Sequence, residues 1–184
     1  MKNLYIESCL ETLKRNLEYD YVVASPPDFN ELQQDTNWSY KDFLLSFAEL
    51  LNPQGNFVSI YILHTHKIWV KSTGVNLYRL NYQHLLTFSR NKQSRPTITD
   101  FAPDVFVINQ SKYKNYSYGM PVRIIELLIK NYTDKNNVVY DPFMGSGTTA
   151  EACLNTNREW LGSEIDEKYA DLIQERMALE KNDL

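Results

Sequence analysis

The stretch VVYDPFMGSGTTAEACL, residues 138–154, constrains the fold more than any other part of this chain. A β-branched, apolar run halts at Asp141, glycines stand at 145 and 147, and small helix-compatible residues begin at about Thr148. That order predicts a strand, a tight glycine turn and a helix. Glycine lets the backbone turn sharply and lets a ligand approach the main chain, while a helix N-terminus attracts negative charge. The pattern is neither G-x-G-x-x-G nor a Walker loop, since no lysine follows the glycines, so a phosphate cradle is only weakly supported. A second predicted strand, WLGSEI, delivers Glu164 to its carboxyl end, 23 residues beyond Asp141. In nucleotide-binding α/β folds an acid at about that distance, roughly 20 residues on, accepts from the ribose hydroxyls.

A ribose-bearing ligand that needs no phosphate site points towards S-adenosylmethionine. Asp166, just past the strand, is expected to cap the last helix. The remainder of the chain repeats the alternation. SCLETLKRNL opens with a capping box, Ser8 and Glu11, and helical spacing of Leu10, Leu13 and Leu17 predicts a helix leading into the strand YVVA. Ser39 and Asp42 offer a helix start before FLLSFAELL, and NPQG forces a turn ahead of the strand NFVSIYIL. HLLTF and DVFVIN read as strands around a polar, basic loop, and PVRIIELLIKN as a helix with proline at its first position. A final helix is expected from DEKYADLIQERMALE. Strands alternating with helices predict an α/β fold with a mostly parallel central sheet buried on both faces.

The strand YVVA stops at Ser25, Pro26 and Pro27. Two prolines lock φ and remove two backbone donors, so neither sheet nor helix continues there, and carbonyls are left without neighbouring N–H groups. This is either ordinary punctuation at a strand end or a place where carbonyl oxygens accept hydrogen bonds from outside the protein.

At 184 residues, 43% hydrophobic, the chain is long enough for one well-buried domain and short for two. Cys9 and Cys153 stand far apart in no metal-like or redox spacing, which predicts reduced core thiols and a cytoplasmic protein. No apolar run reaches the roughly 18 residues of a membrane span, and MKNLYIESCL lacks a signal-like continuation, so no membrane association is expected. The net charge of −4 hides an asymmetry: from Lys67 to Lys130 there are ten Lys or Arg against three acids, and elsewhere nine against twenty. Such a balance lets an acidic protein present a basic face to nucleic acid, though a solvated surface has the same composition. His64 and His66 alternate at a strand end, but the further ligands of a metal site are missing and no metal is expected. Trp69 and Trp160 read as core residues.

With these motifs in place, the chain resembles the beta class of DNA amino-methyltransferases. SPPD at 25–28 is similar to their S-P-P-Y catalytic motif, and DPFMGSGTT at 141–149 is nearly identical to their D-P-F-x-G-S-G-T-T cofactor motif. PVRIIELLIKNYT, GSEIDEKYADLIQERM, NLYIESCLETL and LLNPQGNFV resemble the flanks, so the likeness covers most of the chain. The catalytic motif precedes the cofactor motif by 116 residues, the permuted order of that class, with target recognition falling between. The resemblance implies a Rossmann-like methyltransferase fold over residues 1–184, with a short basic recognition region at about 64–119. It implies S-adenosylmethionine as cofactor, DNA as partner and a bacterial or phage restriction-modification context, and it leaves a homodimer open. Cofactor contacts would come from Asp141, Pro142, Phe143, Gly145, Ser146, Gly147, Thr148 and Glu164. The catalytic segment would be Ser25, Pro26, Pro27 and Asp28.

An exocyclic amino group of cytosine or adenine is a poor nucleophile because its lone pair is delocalised into the ring. Two rigid acceptors, the Ser25 side chain and the Pro26 carbonyl, could hold both N–H bonds and turn the lone pair out of the plane, after the base has left the duplex. Serine at the first motif position favours cytosine N4 over adenine N6 by analogy with the family. The fourth position departs: Asp28 stands where an aromatic normally stacks on the flipped base, and a carboxylate cannot stack. Phe29, Trp38 or Tyr40 could take over. Asp28 therefore feeds a rival reading, a cofactor- and nucleic-acid-binding module without turnover, and methylation of RNA or a protein amide is a third. Arg90, Lys92 and Arg95, with Lys112 and Lys114 among Tyr113, Tyr116 and Tyr118, are the expected phosphate contacts.

Overall fold

The computed structural model of the chain describes residues 3–27, 39–51, 57–62, 84–89 and 120–180. Along them run β1 (Leu4–Ile6), α1 (Cys9–Leu13), β2 (Tyr21–Ala24), α2 (Tyr40–Leu51), β3 (Phe57–Ile62), β4 (His84–Ser89), α3 (Val122–Tyr132), β5 (Val138–Asp141), α4 (Thr148–Asn155), β6 (Glu159–Glu164) and α5 (Glu167–Glu180). The strands form one six-stranded sheet in the order β1-β6-β5-β2-β3-β4. Every neighbouring pair is parallel except β3 with β4, which runs antiparallel from Phe57↔Ser89 to Ile62↔His84. This is the mostly parallel α/β sheet that the alternation predicts.

Strand periodicity divides the core into two layers. In β2, Tyr21 and Val23 face a cluster with Val139 of β5, Trp160 of β6, and Ile125, Ile129, Cys153, Ile173 and Met177 from α3, α4 and α5. The alternate residues, Val22 and Ala24, join Tyr140 in a second cluster with Cys9, Leu10, Leu13, Phe43 and Phe47 from α1 and α2. Successive side chains point to opposite faces, so a strand covered by helices on both sides must be apolar throughout, and all four residues of β2 are buried. Asp20 aligns the two central strands: its N–H donates to the Val138 carbonyl and its carboxylate accepts from the Val138 N–H, both at 2.8 Å. Both cysteines are free and buried, and Trp160 is in the core.

Several local expectations change in detail. The first helix stops at Leu13 instead of reaching Leu17, because Asn16 takes a left-handed φ of 52° and turns the chain; Leu17 still packs on the second cluster from the loop. Ser8 caps it, accepting from the Leu10 N–H at 3.3 Å, but Glu11 pairs with Lys14 instead of reaching back to close the box. Pro121 occupies the cap of α3, one place before the first helical residue, with extended ψ. Ser39 starts α2 as expected, accepting from the Asp42 N–H at 3.2 Å. Asp166 caps α5, accepting from the Lys168 N–H at 3.1 Å. The strand β1 has no counterpart in the sequence reading: three residues are too few for a period and depend on pairing with β6. DVFVIN, His64, His66 and Trp69 lie outside the described residues.

Candidate active site

Three adjacent parallel strands end side by side, β6 at Glu164, β5 at Asp141 and β2 immediately before Ser25. With strands about 4.8 Å apart, Ser25 and Glu164 are separated laterally by roughly 10 Å. From β5 the chain goes on to β6 on one side, and from β2 to β3 on the other. The gap between β5 and β2 is thus a topological switch point, where helices leave a crevice outside the carboxyl ends.

The turn between β5 and α4 is anchored from within. Asp141 is 6% exposed; one carboxylate oxygen accepts from the Phe143 N–H at 2.9 Å and the other from the Thr149 hydroxyl. Gly145 and Gly147 take left-handed φ of 49° and 81°. At Gly147 a Cβ would also meet Ile173 Cγ1 at 3.2 Å, so the position excludes larger residues by both conformation and space. The Gly147 N–H closes on the Met144 carbonyl at 2.9 Å, and the Gly145 N–H donates to Glu164 Oε2 at 2.7 Å. Glu164 accepts at its other oxygen from the Asp166 N–H at 3.0 Å.

Those bonds decide what the turn can hold. The Gly145 and Gly147 N–H groups are spent inside the protein, and the partner of Gly145 is a carboxylate, so a phosphate would meet no such donors and a negative charge. Burial, before any other cause, lifts both acids: Asp141 to about 6 and Glu164 above its usual value, each against hydrogen bonds that favour the ionised form. An ionised carboxylate has about four acceptor sites, so Glu164 retains capacity for a hydroxyl donor beyond its backbone bonds. A strand-end acid with spare acceptor capacity, beside a turn with no anion cradle, fits a nucleoside lacking phosphate.

The other predicted residues have distinct placements. Pro142 is fully buried and its carbonyl accepts from the Ser163 hydroxyl at 3.1 Å, while Ser163 also bonds the Tyr140 hydroxyl at 2.8 Å. Phe143 packs on Phe43 and Phe47 of α2 at centroid distances of 6.0 and 5.1 Å, which ties the cofactor motif to the helix that follows the Ser-Pro-Pro segment. Ser146 and Thr148 are buried and their side chains engage Arg176. Ser25 is exposed and Pro26 and Pro27 are half-buried directly beyond β2. Asp28, Arg90, Lys92, Arg95, Lys112 and Lys114 lie outside the described residues.

Four contributors escaped the sequence reading. Arg176 holds the turn at Ser146, Ser163 holds Pro142, and Cys9 lies near enough to Glu164 for that carboxylate to oppose formation of its thiolate. Burial lifts the Cys9 thiol to about 12, which makes it a packing group and no nucleophile. Gly162 is required by contact: a Cβ there would fall 2.1 Å from Met144 Cγ, because the Met144 side chain crosses the strand at that point. Within GSEID its glycine was visible, but its reason was not. Among the described residues no group of three His, Cys, Asp or Glu could hold a metal.

The family model described as DNA methylase, of the N6/N4 type, matches residues 24–175, and the chain belongs to that family. Among curated relatives, the type II methyltransferase M.HinfI of Haemophilus influenzae is 25% identical over 130 residues, 68% of this chain and 36% of its own length. The matched stretch spans from 22% to 50% of the length of the first three curated relatives. Among solved structures, the cytosine-N4-specific PvuII DNA methyltransferase superposes with a TM-score of 0.71 at 17% identity, over 93% of this chain and 84% of that one. The M1.HpyAVI–SAM complex superposes with a TM-score of 0.67 at 21% identity, over 95% and 98%. At these identities they establish the methyltransferase fold. No helix among the described residues is long and apolar enough to cross a membrane.

Proposed function

We propose that this protein transfers a methyl group from S-adenosylmethionine to an exocyclic amino group in DNA, with cytosine N4 as the preferred acceptor and adenine N6 as the alternative. The observation that carries the reading is the alignment, on three adjacent strand ends, of a Ser-Pro-Pro segment with its serine exposed, the anchored glycine turn and the buried Glu164. Glu164 would hold the ribose hydroxyls, Gly145, Ser146 and Gly147 would line the cofactor through their backbone, and Asp141 would keep the turn in shape. When bound, the cofactor supplies a methyl group activated by its sulfonium centre.

The chain's own part is orientation. The Ser25 side chain and the Pro26 carbonyl accept from the two N–H bonds of the target amine, which directs its lone pair out of the ring plane. Pro26 and Pro27 hold those acceptors in place before the base arrives. The amine must lose a proton after attack, and Asp28 is close enough in sequence to Ser25 to be tested as its acceptor. The basic interval 64–119 would contact phosphates through Arg90, Lys92, Arg95, Lys112 and Lys114, within a single domain over 1–184.

Purified protein incubated with unmethylated DNA and S-adenosylmethionine, then digested to nucleosides for mass spectrometry, tests this directly. N4-methylcytosine is expected. N6-methyladenine keeps the mechanism and overturns the base. Cofactor binding with neither product favours the binding module without turnover, and transfer to RNA or a protein amide alone overturns DNA as substrate.

A further inference from the structure

The last helix supplies an unassigned part of the site. Arg176, on α5, is only 3% exposed and far in sequence from the glycine turn. Its Nη1 donates to the Ser146 carbonyl at 2.9 Å and lies within hydrogen-bonding distance of Ser146 Oγ at 3.2 Å and Thr148 Oγ1 at 3.3 Å. Its Nε donates to Glu151, in the first turn of α4. One turn earlier on the same face of α5, Ile173 packs against Gly147. The helix therefore presses an apolar side chain on Gly147 and a guanidinium on the carbonyl of the residue before it, Ser146.

The position is a costly one for a cation. It is desolvated, and it stands at the N-terminus of α4, where the helix dipole opposes positive charge. Glu151 offsets that charge through a bond from Nε, and the Nη1 contacts with the turn are distinct from that ion pair. What they accomplish is conformational. Two glycines flanking Ser146 give the turn many accessible backbone states, and a ligand that selects one of them bears the entropy of ordering it. With the Ser146 carbonyl held by Arg176 and the Gly147 N–H held by the Met144 carbonyl, both polar groups of the 146–147 peptide are occupied and its orientation is set beforehand. The Gly145 and Ser146 backbone is thereby presented to the crevice in one arrangement.

We infer that Arg176 is a positioning residue that pre-forms the Gly145–Gly147 turn for the cofactor, so that its loss weakens cofactor binding while leaving the transfer step intact. This rests on the S-adenosylmethionine reading above. The fork matters as much as the charge: a lysine could keep the pair with Glu151 but could not also hold the Ser146 carbonyl from a second branch.

The experiment is isothermal titration of S-adenosylmethionine into the full-length wild type, Arg176→Lys, Glu151→Gln and the double variant Arg176→Met/Glu151→Gln, with steady-state methylation of DNA alongside. For Arg176→Lys and the double variant, the cofactor Kd and KM should rise on the order of tenfold or more, with kcat at saturating cofactor within about threefold of wild type and the KM for DNA unchanged. Glu151→Gln should bind cofactor within about twofold of wild type, since the turn contacts survive. Unchanged affinity in a folded Arg176→Lys protein overturns the role, as does an equal loss in Glu151→Gln, which would make the ion pair alone responsible. Failure of both Arg176 variants to fold makes the residue a determinant of stability and likewise overturns it. A wild type that binds no S-adenosylmethionine removes the cofactor reading itself, a result distinct from variant and wild type binding alike.

Discussion

The two halves of the crevice are built on opposite plans. On the β5 and β6 side, Asp141, Gly145, Gly147 and Glu164 are buried and each is hydrogen-bonded within the turn or to it, and α5 braces that turn through Arg176. On the β2 side, the chain leaves the sheet as an exposed serine and two half-buried prolines that cannot donate. A cofactor of fixed shape, exchanged for its demethylated product at each turnover, suits a closed, pre-bonded socket. A target amine that must be seized and released suits a rigid edge with acceptors facing out.

The contrast predicts that mutations on the two sides fail differently. The largest effect is expected from Ser25→Ala: loss of one acceptor aimed at the reacting nitrogen should lower kcat by about 10²–10³. As an exposed position, it should change stability by no more than about 0.5 kcal/mol. Calorimetry and single-turnover methylation check both parts, and a stability loss comparable to the activity loss would break the contrast.

Gly162→Ala should do the reverse, destabilising by about 1–3 kcal/mol as the new Cβ collides with Met144. Adding Met144→Ala should recover part of that loss, a coupling that a double-mutant cycle in urea would measure. Tyr140→Phe removes the hydroxyl bonded to Ser163 and should cost about 1 kcal/mol, with DNA methylation at saturating cofactor little altered.

A dependence on pH follows from the same socket. Asp141 titrates near 6 in the folded protein against 3.8 as its ordinary value, so its protonated form favours folding. The stabilising contribution is full below 3.8 and is lost as pH rises through 6. Melting curves from pH 4 to 7 should lose this component in Asp141→Asn, after correction for the carboxylates shared with wild type. Its absence from the difference curve would show that the β5 socket is more hydrated than its hydrogen bonds imply.

The closed half was largely legible beforehand and the open half only in outline. Strand, glycine turn, helix and acid-bearing strand follow one another within residues 138–164, so local preferences and spacing were enough to read them. Ser-Pro-Pro announced a strand end, but its position beside Asp141 depends on β2 pairing with β5 across more than a hundred residues. Helix α1 was overread because leucine spacing continued past an asparagine that turns the chain.

Local sequence dictated the longer elements, the glycine turn and the acid at the end of β6, because backbone sterics and side-chain period act over a few residues. The order β1-β6-β5-β2-β3-β4, the reversed direction of β4, the contact that forbids a side chain at Gly162 and the reach of Arg176 to Ser146 arose only on packing. Each of these joins residues distant along the chain, and such pairings are chosen by which apolar faces and buried polar groups satisfy one another in three dimensions.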